Sequence, residues 1–251
     1  MKTIYSAALM VAAMALLAIN APAYASKTDD RIEASAKKSY VFKTYLKNDD
    51  IKVQSKDGAV TLTGDVSEES HKSLAQETVA GLPGVKSVDN KLDVKGERPA
   101  ENSDAWLTAK VKSTLLFHRS VSAMTEVKTT DGVVTLQGEA ANQAEKDLTT
   151  EYAKDVEGVK DVKNEMTLSK TVKKTQRSTG DKIDDASITA QVKMTLLFHR
   201  STSALKTKVE TKHGVVTLSG KAGNAAEKDL ASKIADDVKG VKSVKNRMTI
   251  E

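Results

Sequence analysis

The stretch DGVVTLQG, residues 131–138, decides the fold, because the chain writes it three times. The first copy is DGAVTLTG (57–64) and the third is HGVVTLSG (213–220). Each reads as the tip and return strand of a hairpin: a glycine that tolerates positive φ, then apolar side chains alternating with polar ones. A second shared block opens 20 residues after each closing glycine: GVKSVDNKLDV (84–94), GVKDVKNEMTL (158–168) and GVKSVKNRMTI (240–250). The closing glycines, Gly64, Gly138 and Gly220, lie 74 and 82 residues apart. That exceeds the period of about 20–50 residues typical of solenoids. Each unit is therefore expected to be a small domain with its own core, and the chain to be three beads on a string.

The second unit serves as template. Ser103 or Asp104 caps a helix in which Leu107, Val111, Leu115 and His118 form one buried stripe. After a loop at 120–124, residues 126–130 read as a strand, Asp131-Gly132 as the turn, and 133–136 as the return strand with Val134 and Leu136 on one face. Asn142 starts a second helix with Leu148, Tyr152 and Val156 inward and Gly158 as its stop. Residues 159–168 close the unit as a strand carrying Val162 and Met166 inward. The third unit repeats this with Ile188, Val192 and Leu196, then Leu230, Ile234 and Val238. The first places Val41, Tyr45 and Leu46 on its first helix, and Pro83 ends its second helix early, near Ala80. The expected fold class is α+β: three tandem αββαβ domains, each a three-stranded sheet with two helices on one face. Expected boundaries are 26–95, 104–169 and 185–251, with polar, exposed, flexible linkers at 96–103 and 170–184. Gly58, Gly132 and Gly214 are read as turn residues, and Gly84, Gly158 and Gly240 as stops.

Residues 1–25 are set apart. Lys2, an apolar run at 7–19 and Ala23-Tyr24-Ala25 make a secretory signal with cleavage expected after Ala25. The 13-residue run is short for a bilayer span. The chain has no cysteine, which excludes disulfides, thiol chemistry and a cysteine-borne lipid anchor. The net charge of +5 is unevenly spread. Residues 26–98 hold 13 basic and 13 acidic side chains, 99–170 hold 9 and 12, and 171–251 hold 16 and 9. A basic end on an exported chain points to anionic lipid or envelope polymer rather than nucleic acid, or simply to solvation.

The two shared blocks, together with the repeated helix ending LLFHRS (115–120, 196–201), resemble the BON domain family of exported bacterial proteins. The resemblance covers nearly all of the chain after the signal. It implies an αββαβ fold, a periplasmic location, attachment to phospholipid membranes, a stress-response setting and no enzymatic activity. Members commonly carry two such domains, so a third copy leaves open which one binds.

No catalytic grouping survives comparison among the copies. Asp57 and Asp131 are matched by His213, which argues against an acid catalyst at the turn. The four histidines show no metal-ligand spacing, and neither metal nor cofactor is expected. His118 and His199 recur beside Arg119 and Arg200, as cations offsetting a helix dipole or as a pH sensor. Trp106, the single tryptophan, aligns with Ser187 and is expected on the outer side of its helix. There it either meets lipid headgroups or packs on the linker or a neighbouring unit. The candidate lipid-binding residues are Trp106, Lys110, Lys112, Phe117 and Arg119, with Lys193 and Arg200 of the third unit. The function expected is a periplasmic envelope-stress protein that binds anionic phospholipid surfaces. The alternative is a chaperone-like protein that holds outer-membrane or secreted clients.

Overall fold

The computed structural model describes residues 27–96, 99–121, 125–169, 182–202 and 206–251; the expected signal and most of the second linker lie outside them. The first unit comprises α1 (Lys27–Lys38), α2 (Tyr40–Thr44), β1 (Asp50–Lys56), β2 (Ala59–Val66), α3 (Glu69–Ala80) and β3 (Ser87–Val94). The second comprises α4 (Asp104–Phe117), β4 (Glu126–Thr130), β5 (Val133–Gln137), β6 (Glu139–Ala140), α5 (Gln143–Lys154), β7 (Asp161–Asn164) and β8 (Thr167–Leu168). The third comprises α6 (Asp185–Phe198), β9 (Thr207–Lys212), β10 (Val215–Ala222), α7 (Ala225–Asp236), β11 (Ser243–Asn246) and β12 (Thr249–Ile250). Each is an αββαβ unit. Its hairpin is antiparallel, and its last strand runs parallel to the hairpin's second strand, which is therefore central.

The hairpin tips are type I′ in character: Asp131 and Gly132 have φ of 52° and 80°, and the other copies match. A device absent from the sequence reading holds each tip. The Asp104 carboxylate accepts hydrogen bonds from the backbone N–H groups of Asp131 and Gly132, both at 2.8 Å. Asp29 and Asp185 do the same for their own turns. The helix start and the hairpin are thereby locked together in every copy. The asparagine of the second block works likewise. Asn164 donates to Lys146 O and Thr150 Oγ1 of α5 and accepts from Met166 N; Asn90 and Asn246 repeat the arrangement.

Several expectations need correction. The first unit's opening helix is two: α1 buries Ile32 and Ala36, and Ser39 breaks the chain and caps α2 through Phe42 N. Of the expected stripe, Val156 is buried just past the helix and Tyr152 packs half-buried on the core, but Leu148 is exposed; within α5 itself the buried positions are Thr149 and Ala153. Helix α5 stops at Lys154, with Asp155 as its C-cap, before Gly158 is reached. Gly158 instead sits at φ 95° against α4, where an added Cβ would lie 2.8 Å from Leu107. The 159–168 strand is divided into β7 and β8, with Met166 buried between them.

The largest departure from expectation is that the units do not sit apart. Ala186, Ala190, Met194 and Phe198 of α6 share one core with Ile32, Val41, Leu74 and Val79 of the first unit, and Phe117 of the second joins them. Helix α6 is buried on both sides: Ile188, Val192 and Leu196 face their own sheet, while Ser187 and Gln191 are fully covered by the first unit. Polar contacts fix this docking. Tyr40 N donates to Asp184, Val41 N to Ser187 Oγ, and Lys193 pairs with Glu77 at 2.6 Å. A chain whose first and third units share a core gains stability from their contact. Met194→Ala, which empties the shared core but not the third unit's own, is expected to cost about 2–4 kcal/mol in urea unfolding. Lys193→Ala, at a partly exposed pair, is expected to cost less than about 1 kcal/mol.

Candidate functional site

The second and third units meet along a seam built from the repeated FHR segment. Lys239 N of the third unit donates to Phe117 O of the second, and Arg119 N of the second to Asp237 O of the third; in return Glu157 N donates to Phe198 O and Arg200 N to Asp155 O. The pattern is reciprocal, residue for residue, as in an isologous dimer. The Arg119 guanidinium binds the carbonyls of Asp236, Val238 and Val241 at the end of α7; that of Arg200 binds Lys154 O and Val159 O beyond α5. Cations do therefore offset helix C-termini here. The helices are those of the sister unit, because α4 and α6 both end on extended residues, His118 and His199.

One half of the seam is tighter. His118 Nδ1 lies 3.0 Å from Asp237 Oδ2, which also accepts from Tyr152 Oη at 2.6 Å, and Ser120 Oγ donates to Asp237 Oδ1 at 2.6 Å. Tyr152 stacks on His118 with centroids 3.7 Å apart. The matching position in the third unit is Ile234, which offers neither stacking nor a hydroxyl. His199 accordingly lies 3.6 Å from Asp155. Burial pushes the Asp237 carboxyl up, but the bonds from His118, Ser120 and Tyr152 outweigh it and hold it below the usual range. Burial holds His199 below its ordinary value against the pull of Asp155, with Arg200 adding to the depression. The halves enclose a cavity of about 140 Å³ bordered by His118, Tyr152, Asp155, Thr195 and His199. Among the described residues no group of three or more His, Cys, Asp or Glu could hold a metal ion.

Trp106 lies elsewhere, on the outer side of α4. It is half-buried, packed from outside on the second unit's core, with Lys110 Nζ 4.0 Å from its ring centroid. Its counterpart Ser187 is covered by α2, a position in which an indole would collide with the first unit. Among the described residues no helix covers that place on α4. Trp106 borders an open cleft of about 470 Å³, shared with Val94, Pro99, Phe198 and the start of α3 at Glu68 and Glu69.

The other candidate lipid residues separate into two groups. Lys112 is exposed on α4. Phe117 is buried, with its ring 5.4 Å from that of Tyr45, and Lys110 is 5% exposed, its pKa lowered by burial. Phe117 therefore presents nothing to a membrane, and Lys110 does so only through the cleft. Arg119, Arg200 and Lys193 spend their charges on carbonyls and a carboxylate of other units. Their charged groups lie at inter-unit contacts. Of the turn glycines, Gly58, Gly132 and Gly214 lie at the hairpin tips with positive φ.

A family model described as BON domain matches residues 28–96, 103–170 and 184–251. Osmotically-inducible protein Y of Escherichia coli is 38% identical over 144 residues, which span 57% of this chain and 70% of that protein. Outer membrane lipoprotein DolP of Haemophilus influenzae is 35% identical over 114 residues, 45% of this chain and 56% of that one. A solved structure of CdsD, a structural protein of the Type III secretion system of Chlamydia trachomatis, aligns at 16% identity over 88% of this chain and 90% of its own, with a TM-score of 0.23, too low to carry an argument.

The seam yields a pH prediction. A base whose folded pKa is depressed stabilises fully above its unfolded value and loses that contribution as pH falls toward the folded one. The urea midpoint is therefore expected to fall as pH drops from about 7.5 to about 5, across the unfolded histidine value near 6.5. His199→Gln should flatten this decline. Asp237, depressed in the opposite chemical sense, loses its contribution only as pH falls below the ordinary carboxylate range near 4.

Proposed function

The chain belongs to the BON domain family, and from that premise we propose that it is a non-enzymatic protein of the bacterial envelope, periplasmic in location, whose joined domains bind anionic phospholipid surfaces under osmotic or envelope stress. The names of its relatives, one osmotically inducible and one an outer membrane lipoprotein, support the setting. Among the described residues no helix is long and apolar enough to cross a membrane, so contact would be peripheral.

The observation that carries the lipid reading is the state of Trp106. Its indole is open on one side to a cleft, has a lysine ammonium over its ring, and lies on the same helix as exposed Lys112. An amphipathic ring beside cations suits the boundary between headgroups and acyl chains. Its half-burial also places it where a structural role toward the first unit contributes.

As the single tryptophan, Trp106 reports on its own surroundings. Vesicles with about one third phosphatidylglycerol are expected to bind the chain and shift its fluorescence to the blue, while pure phosphatidylcholine is not. Trp106→Ala should weaken binding by about threefold. Equal failure to bind both vesicles would overturn the lipid reading. Suppression of client aggregation without lipid would then favour the chaperone-like alternative.

A further inference from the structure

The three sheets turn their inner faces to helices and leave their outer faces open, so equivalent positions on those faces can be compared one by one. Inward positions barely differ between the second and third units: Val127, Val134, Leu136 and Met166 are matched by Val209, Val216, Leu218 and Met248, all buried. Outward positions differ sharply. Glu126, Glu139 and Glu165 of the second unit become Lys208, Lys221 and Arg247; Thr130 becomes Lys212, and Asp161 becomes Ser243. Lys163 and Lys245 are both lysine. The outer face of the third sheet thus carries five cations, Lys208, Lys212, Lys221, Lys245 and Arg247, against two acids, Glu210 and Glu251. At the twelve equivalent positions the second unit has two cations against four acids (Glu126, Glu139, Asp161 and Glu165), and the first has four cations against three acids. All five cations of the third face are exposed. The middle of that face is short and neutral: Val215, Thr217 and Ser219.

We infer that the open face of the third sheet is the surface by which the chain lies on anionic phospholipid headgroups. This rests on the lipid reading above and adds to it the copy and the face. Charge complementarity selects an anionic partner. The shape selects a planar one: strands about 4.8 Å apart with outward residues roughly 7 Å apart along each strand spread the cations over a shallow lattice, with no groove to hold a single polymer chain. Short neutral side chains at the centre let the lysines and arginine reach phosphates without an aromatic wedge to insert. Lys208 pairs with Glu210 at 2.7 Å and Lys221 with Glu251 at 3.3 Å, but the excess of three positive charges on this face, against one on the first, has no counterpart in the unchanged packing beneath it. This face is separate from the Trp106 cleft, and its contribution is distinguished by its dependence on salt.

The test uses the full chain and the same vesicles of phosphatidylcholine with about one third phosphatidylglycerol. Lys208→Glu, Lys212→Glu and Arg247→Glu together reverse three exposed charges of the third face. Lys52→Glu, Lys56→Glu and Lys91→Glu together make the same charge change at the equivalent positions of the first, and circular dichroism checks that both variants fold. The third-face variant is expected to bind at least about tenfold more weakly and to lose most of the salt dependence, while the first-face variant stays within about twofold of the parent. Equal weakening by both variants would show a response to net charge alone and overturn the assignment. So would parent-like binding by the third-face variant, which leaves the lipid reading standing and only this face refuted. Failure of the parent chain to bind these vesicles, or its capture by a soluble polyanion such as heparin with the same variant dependence and no vesicle binding, would overturn both.

Discussion

The reciprocal pairing of the FHR segments is the contact on which the rest of the structure depends. Backbone groups of Phe117 and Arg119 bond to Lys239 and Asp237, and those of Phe198 and Arg200 bond to Glu157 and Asp155. These groups stand at helix ends, where carbonyls and amides lack partners within their own helix. Each unit supplies what the other lacks, and each arginine closes the other's C-terminus. The pair is an isologous dimer contained in one chain. Its symmetry is broken at one place, where Tyr152 is matched by Ile234, and the histidine without the tyrosine has the looser partner.

That pairing brings Phe117 and Phe198 into one core with the first unit. Of α4 and α6, the first unit closes over only one. It adds α2 and α3 to α6 and extends its own core through Met194 and Ala190. A unit of this size has little apolar surface to bury alone, and sharing a core offsets that shortage. The corresponding side of α4 is capped by its own Trp106 and Lys110 instead. One tryptophan among three copies thus has a structural cause as well as a proposed functional use: it occupies a place that has no second docking unit.

Differences between copies fall into two kinds. Those on α4 and α6 follow from which unit covers which helix. Those on the outer sheet faces, such as Thr130 to Lys212 and Glu165 to Arg247, face solvent in every copy and follow from no packing beneath them. The second kind is where chemistry directed outward is read.

The repeat alone determined the αββαβ order, the hairpin tips, the central strand's inward residues and the membership of one family. These are local properties: periodicity, turn glycines and caps act within a few residues of chain. The Asp29, Asp104 and Asp185 clasps have no such local signature: each aspartate lies 28, 27 and 28 residues before the turn it holds. Only the tertiary structure decided that the beads are joined, that Arg119, Arg200 and Lys193 bind other units, and that Ser187 is buried while Trp106 borders a cleft. A helix outer face has the same sequence signature whether water or another unit lies against it when its residues are small and uncharged, as on α6. Which of the two it meets depends on contacts more than a hundred residues away, such as Tyr40 to Asp184, and no local pattern encodes these.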